Sequence, residues 1–345
     1  MIIKSTAIYY GTYQFIPSAL ADARSYVLDE NEHVFEIMPD CLLRNAGFLC
    51  GLKKNQHSSY VSFHPQNEVA AFLTESGMDV YDFQGNQIWG MNGQVIALLF
   101  SPDGEELWIV ERINQKRLLV SVVEAYSGME NTIVEVEDSL YDSGIRLQNM
   151  PYGNGVLMEL SAGQDGVIVL SLTDDGTLGA KTKVKELFPG HSHILPEFNP
   201  NSDRLLTLEN DKNLYYSYTW EDLSLVSKQL DYPDHMRIED SDNDFYPGYQ
   251  MIYLSNNLAI TQSANYRFYL FDPVRMERIE EVVIAGFEPL PTYEVFPNLN
   301  DETLYSTVTY FARHGGFLAA ITGPGAKKQA LIIFKEDDLL QQIKT

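Results

Sequence analysis

Apolar residues along this chain come in runs of four to eight, rich in Val, Ile, Leu, Tyr and Phe and bounded by Gly, Asn, Asp or Pro. Runs of that length and composition predict strands rather than helices. Only residues 17–24 and 336–343 carry a helical pattern, and neither stretch is long enough for a helical layer. Seven segments share one plan, a strand, a polar hairpin and a second strand: residues 25–37, 68–83, 106–128, 155–176, 204–223, 257–273 and 316–338. Their second strands end at Phe35, Tyr81, Tyr126, Leu172, Trp220, Phe271 and Phe334, in steps of 46, 45, 46, 48, 51 and 63. A near-constant step of that size is the spacing of a four-stranded propeller blade. The expectation is an all-β fold, a seven-bladed β-propeller of four-stranded antiparallel blades, with six or eight blades as alternatives. Residues 1–345 are read as a single domain, and a strand around Ile2 to Tyr10 is expected to help close the ring, since an open ring would expose two unpaired edges.

The turns support a repeat. Phe63-His-Pro65, Phe100-Ser-Pro-Asp-Gly104 and Phe198-Asn-Pro-Asn-Ser-Asp203 each precede the first strand of a hairpin. Pro presets φ for such a turn, and Asn, Asp or Gly relieves the tight corner. The dipeptides Tyr81-Asp82, Trp220-Glu221 and Phe271-Asp272 look like degenerate forms of a Trp-Asp signature, and Gly190-His191 is similar to a Gly-His opening. In these features the chain resembles the WD-repeat family of β-propellers. The resemblance implies a buried hydrogen-bond network of His191, Asp211, a Ser or Thr, and Trp220.

Composition then narrows the partners. The sequence has 24 Lys+Arg against 48 Asp+Glu, a net charge of −24. Such a surplus repels nucleic acid and anionic lipid, which are held by clustered Lys and Arg. No run approaches the roughly 18 apolar residues of a membrane helix, and no signal-peptide pattern opens the chain, so the protein is read as soluble, unexported and monomeric. Two cysteines, Cys41 and Cys50, are too few for a disulfide framework and fit a cytoplasmic setting.

Two connections are oversized, residues 231–248 and 285–305. In a propeller they share a face with the mid-blade hairpins, and loops on a rigid scaffold are where binding usually lives. The first carries Asp240, Asp242 and Asp244, alternating carboxylates that could converge on calcium. An EF-type loop would also need Gly and Glu where this chain has Phe245 and Met251, so a solvated acidic tip is the simpler reading. His191-Ser-His193 would place two imidazoles on one side of an extended segment, half of a transition-metal site, beside a structural reading of His191 as the opening of a blade. No GxSxG elbow occurs. Neither Gly323–Lys328 nor Tyr152–Gly155 has the spacing of a nucleotide loop. Lys181, Lys183 and Lys185 alternate along an expected outer strand and would blunt an exposed edge. Tyr232, Tyr246, Tyr249, Tyr266 and Tyr293 lie in or beside the loop-bearing face, interleaved with Asp and Pro.

Aromatics among acids suit a basic peptide or a cationic ligand. The preferred reading is therefore a non-catalytic protein or peptide interaction module, without a cofactor. It would bind its partner through Tyr232, Asp240, Asp242, Asp244 and Tyr246. The alternative is a propeller enzyme, hydrolase or lactonase-like, with a site at the central channel mouth. Acidic-loop carboxylates with His64 or His191, and calcium on Asp240, Asp242 and Asp244, would be its actors.

Overall fold

The computed structural model describes residues 1–15, 23–48, 60–151, 155–162, 166–173, 183–229, 247–263, 266–296, 298, 304–314, 316–323 and 326–344. The chain forms two compact units, Gln14–Leu195 and Met1–Tyr13 with Pro196–Thr345. All seven hairpins read from the sequence are present, each as the second and third strands of a four-stranded antiparallel sheet.

In the unit Gln14–Leu195, sheet 1 runs Tyr13–Phe15, Tyr26–Asp29, His33–Ile37 and Leu43–Phe48, in chain order. Sheet 2 comprises Val61–Phe63, Val69–Leu73, Gly77–Asp82 and Gln87–Asn92. Sheet 3 is Val95–Phe100, Glu106–Asn114, Arg117–Glu124 and Glu130–Glu137, and sheet 4 is Gly144–Asn149, Gly155–Ser161, Val167–Thr173 and Lys183–Glu186. Middle strands are buried on both faces between neighbouring sheets, so they read as continuous apolar runs such as Val69–Leu73. Fourth strands alternate, as in Glu130–Glu137, or are exposed throughout, as in Lys183–Glu186 with its two lysines. The cores lie between successive sheets: Leu28 with Phe72, Leu73 with Leu98, and Trp108 with Met158. Each such large apolar side chain contributes about 1.5–3 kcal/mol of burial.

The proline turns join first to second strands by one device. His64, Ser101 and Asn199 each donate a backbone N–H across the turn, to the carbonyls of Val69, Glu106 and Arg204. Their side chains collect the turn's own N–H groups, with Gln66 and Asn67 donating to His64 Nδ1 at 3.1 Å and Asp203 and Arg204 to Asn199 Oδ1 at 3.1 and 3.0 Å. His64 is thus a buried structural residue, with its ring edge-on to Phe100 and tilted against Tyr126. Burial pushes its pKa below the ordinary value despite a hydrogen bond to the Gly104 backbone.

In the other unit, sheet 5 is Glu197–Phe198, Arg204–Glu209, Leu214–Thr219 and Leu225–Lys228. Sheet 6 comprises Pro247–Ser255, Leu258–Ser263, Phe268–Asp272 and Glu277–Ile284. Ile2–Ile3 adds a parallel fifth strand to it. Sheet 7 takes Val308–His314, Phe317–Thr322 and Ala330–Lys335 from the C-terminal end and Ala7–Tyr10 from the N-terminal end, with Ala7 opposite Ile333. The chain therefore closes its last sheet with its first residues. A helix, Glu336–Lys344, follows and buries Leu339, and its acidic first turn complements the helix dipole. Gln342 holds both backbone groups of Lys4, at 2.7 and 3.0 Å. The helix expected at residues 336–343 is present, and the one at 17–24 lies almost wholly outside the described residues.

The buried network implied by the family resemblance is not carried at Asp211, which is exposed in the hairpin of sheet 5. Trp220 instead stands edge-on to Phe198, ring centroids 5.0 Å apart, and closes the proline turn of its own sheet. Cys41 is buried.

Candidate functional site

In these antiparallel sheets the first-to-second and third-to-fourth connections lie at one end. The hairpins and the connections between sheets lie at the other. Tyr232, Asp240, Asp242, Asp244 and Tyr246 belong to the connection after Leu225–Lys228 and lie outside the described residues, so the calcium expectation rests on sequence alone. Tyr249 falls in the first strand of sheet 6. Tyr293 lies on the second oversized connection, and Tyr266 is met by another residue of that connection.

That connection, between Glu277–Ile284 and Val308–His314, starts as a turn. Gly286 takes a φ of +85°, a left-handed conformation that suits glycine. The Glu288 carboxylate accepts the Gly286 N–H at 3.0 Å, a bond that lowers the pKa of Glu288 and keeps it ionised. Phe287 is buried as the anchor, and Thr307 Oγ1 donates to its carbonyl at 3.2 Å. Beyond it, Leu290–Pro291 pairs with Leu304–Tyr305, and a single helical turn, Thr292–Val295, caps the pair.

The pairing brings three aromatic rings together. Tyr305 lies 5.3 Å from Tyr266 at 52° and 5.0 Å from Phe296 at 87°. Tyr266 comes from the hairpin of sheet 6, where Tyr266 N donates to Ser263 O and the residue sits at φ +60°. A bulky residue in that region is strained, and such strain tends to collect at functional sites. Burial, with the charge and hydroxyl of Tyr266 adding to it, raises the Tyr305 pKa far above the ordinary range, so the phenol stays neutral. Tyr266 and Phe296 are 37 and 38% exposed, so the cluster is in contact with solvent, and Tyr293 and Leu304 on the same connection are 43 and 41% exposed. Glu288 and Glu294 are exposed on the same connection. Arg267, next to Tyr266 in the chain, is occupied by Glu281 in a two-pronged pair at 2.8 and 2.5 Å. The cluster therefore offers aromatic faces on a connection that also carries exposed acids, a surface suited to a cation. Sequence reasoning singled out Tyr266 and Tyr293 but missed Tyr305 and Phe296, which meet only through the pairing of two distant dipeptides.

The opposite end of this unit has a different chemistry. Tyr253 N–H donates to the Glu197 carboxylate, the Arg313 guanidinium donates to Tyr253 O, and Arg313 Nη2 reaches Glu336 Oε1 at 3.1 Å. Burial raises the Glu197 pKa from 4.5 to about 7, outweighing Arg313 and the Tyr253 N–H, with Glu336 adding to the rise. A carboxyl whose folded value lies above its unfolded one loses stability as pH rises, because the unfolded chain releases its proton first. Melting temperatures of Glu197→Gln and wild type should therefore draw apart between about pH 4.5 and 7, in the variant's favour, and stay apart above. A difference that does not change with pH would remove Glu197 as the cause.

No family model matches the chain, and no curated protein sequence does. Among solved structures it is similar to the β-propeller domain of Cps50 (Swd1) from Myceliophteria thermophila, with a TM-score of 0.56 and 10% identity over 95% of this chain and 98% of that one. With seven sheets of four antiparallel strands among the described residues, one of them extended by the parallel strand Ile2–Ile3, the fold is a seven-bladed β-propeller, and the six- and eight-bladed alternatives fall away. At 10% identity the likeness speaks for the fold alone.

Proposed function

We propose that this chain is a WD-repeat-like propeller that acts as a non-catalytic interaction module, and that it binds a protein segment bearing Lys or Arg through its hairpin-and-insert end. The observation that carries this reading is the exposed cluster of Tyr266, Phe296 and Tyr305 in a chain of net charge −24. A basic side chain laid over these rings gains cation–π attraction of about 0.5–2 kcal/mol per ring, while Glu288 and Glu294 complement its charge. The sequence-derived loop with Asp240, Asp242 and Asp244 would extend the acidic rim. The degenerate Trp-Asp closings support the WD-repeat attribution.

The test is a titration with a fluorescent peptide of alternating Lys and Arg, and with its Glu-substituted counterpart. The basic peptide should bind, and raising salt from 50 to 300 mM should weaken it steeply, since a screening length of about 8 Å at physiological ionic strength removes long-range steering. Tyr266→Ala and Phe296→Ala, both exposed and tolerable to the fold, should each cost about five- to tenfold in affinity. Salt-sensitive binding that neither variant changes would place recognition elsewhere on the acidic surface. Equal binding of the two peptides would end the charge argument.

A further inference from the structure

We infer that the segment after the fourth strand of sheet 4 is a transition-metal chelate, in which His191 and His193 hold one Zn²⁺ or Cu²⁺ ion. The segment is built rigidly. Phe188-Pro189-Gly190-His191 makes a turn in which His191 N donates to Phe188 O at 3.0 Å, Pro189 occupies the second position and Gly190 has φ +77°. Proline followed by a left-handed glycine is the signature of a type II turn.

Three anchors fix what surrounds it. Leu187 N donates to Val169 O at 2.9 Å, Ser192 Oγ accepts from Val167 N at 2.7 Å, and Leu195 N donates to Glu159 Oε2 at 2.7 Å. Glu159 is itself held by Arg146 through two hydrogen bonds of 2.7 and 2.6 Å. Ser192 is held against sheet 4 between the two histidines.

The two imidazoles stand together there. Their centroids are 5.9 Å apart at 47°, and their ligand nitrogens lie within 4.8 Å of one another. His193 is buried and its ring lies against Phe188 at 4.6 Å, so its position is set by packing. His191 is exposed, and a rotation of its ring brings its nitrogen to the roughly 2.0–2.1 Å of a metal–imidazole bond. Imidazole nitrogen suits Zn, Cu and Ni, and binding through two of them leaves positions for water or a further donor. The negative field of the whole chain raises the local concentration of any divalent cation. No bond is broken or formed beyond coordination, and no residue of the aromatic cluster takes part.

The experiment uses the full chain without an affinity tag, titrated with Zn²⁺ against a chromophoric chelator and with Cu²⁺ followed by electron paramagnetic resonance. One equivalent should bind, with Cu²⁺ hyperfine structure from two nitrogens. His191→Gln should weaken binding at least tenfold while leaving the fold intact, because the ring is exposed. His193→Gln should do the same where circular dichroism shows it folded. His33→Gln, a histidine paired with Asp29 in another sheet, should change nothing. Undiminished binding by His191→Gln would overturn the proposal, as would loss of binding only on replacing Asp240, Asp242 and Asp244.

Discussion

Asp138→Ala should destabilise the protein by about 3–5 kcal/mol, among the largest effects of any single change in the chain. Asp138 is wholly buried and Arg112 is 7% exposed, joined Oδ2 to Nη1 at 3.1 Å. The carboxylate also accepts Ser143 N at 2.8 Å, Ser143 Oγ at 2.8 Å and Leu140 N at 3.2 Å, while Arg112 Nη2 donates to Ser143 O. Burial alone would raise the Asp138 pKa, but the Ser143 donors and Arg112 together hold it below the ordinary carboxylate value. Removing it leaves the buried guanidinium only the exposed Asp142 carboxylate, 3.4 Å from its Nε, and frees the tip of the connection, where Tyr141 and Asp142 both sit at positive φ. Arg112→Met/Asp138→Leu should recover only part of the loss, because it removes the uncompensated charge but leaves the Ser143 and Leu140 donors without their acceptor. Urea unfolding measures both. A loss below 1 kcal/mol for Asp138→Ala would mean that water reaches the site.

Deleting residues 1–10 should abolish cooperative unfolding of the unit that contains sheets 6 and 7. Ile2 and Ile3 pair with Val283 and Ile284, Ile3 is fully buried, and Ala7 to Tyr10 cover the strand Ala330–Lys335. Without them, an apolar strand becomes a free edge, a template for pairing with other chains. Ile3→Ala alone should cost about 2–5 kcal/mol by leaving a cavity. Thermal denaturation with light scattering distinguishes the two variants: the truncated chain should aggregate on mild heating, and Ile3→Ala should melt earlier without aggregating at ambient temperature. A truncated chain that melts like wild type would show that the last sheet does not need its N-terminal strand.

The hairpins were legible in sequence because their strands are buried on both faces and carry apolar runs, as in Val69–Leu73. The flanking strands were not, since Leu225–Lys228 and Leu43–Phe48 are largely exposed and Glu197–Phe198 is only two residues long. Length marked the insert at residues 285–305, but no local pattern shows that Phe296 and Tyr305 share a surface with Tyr266. That contact depends on Leu290–Pro291 pairing across the insert and on the left-handed backbone of Tyr266. His64 shows the converse. A lone histidine before proline looked usable for catalysis, and its neighbours make it the cap of a turn.

Hydrogen exchange of the full chain, with and without the Lys/Arg peptide, tests the central claim most directly. Protection should concentrate in residues 263–268 and 285–308, the hairpin and insert that carry Tyr266, Phe296 and Tyr305. The turns at the opposite end of the same sheets, around Asn199 and Asn256, should be unchanged. Protection at those turns with none in the insert would contradict the account.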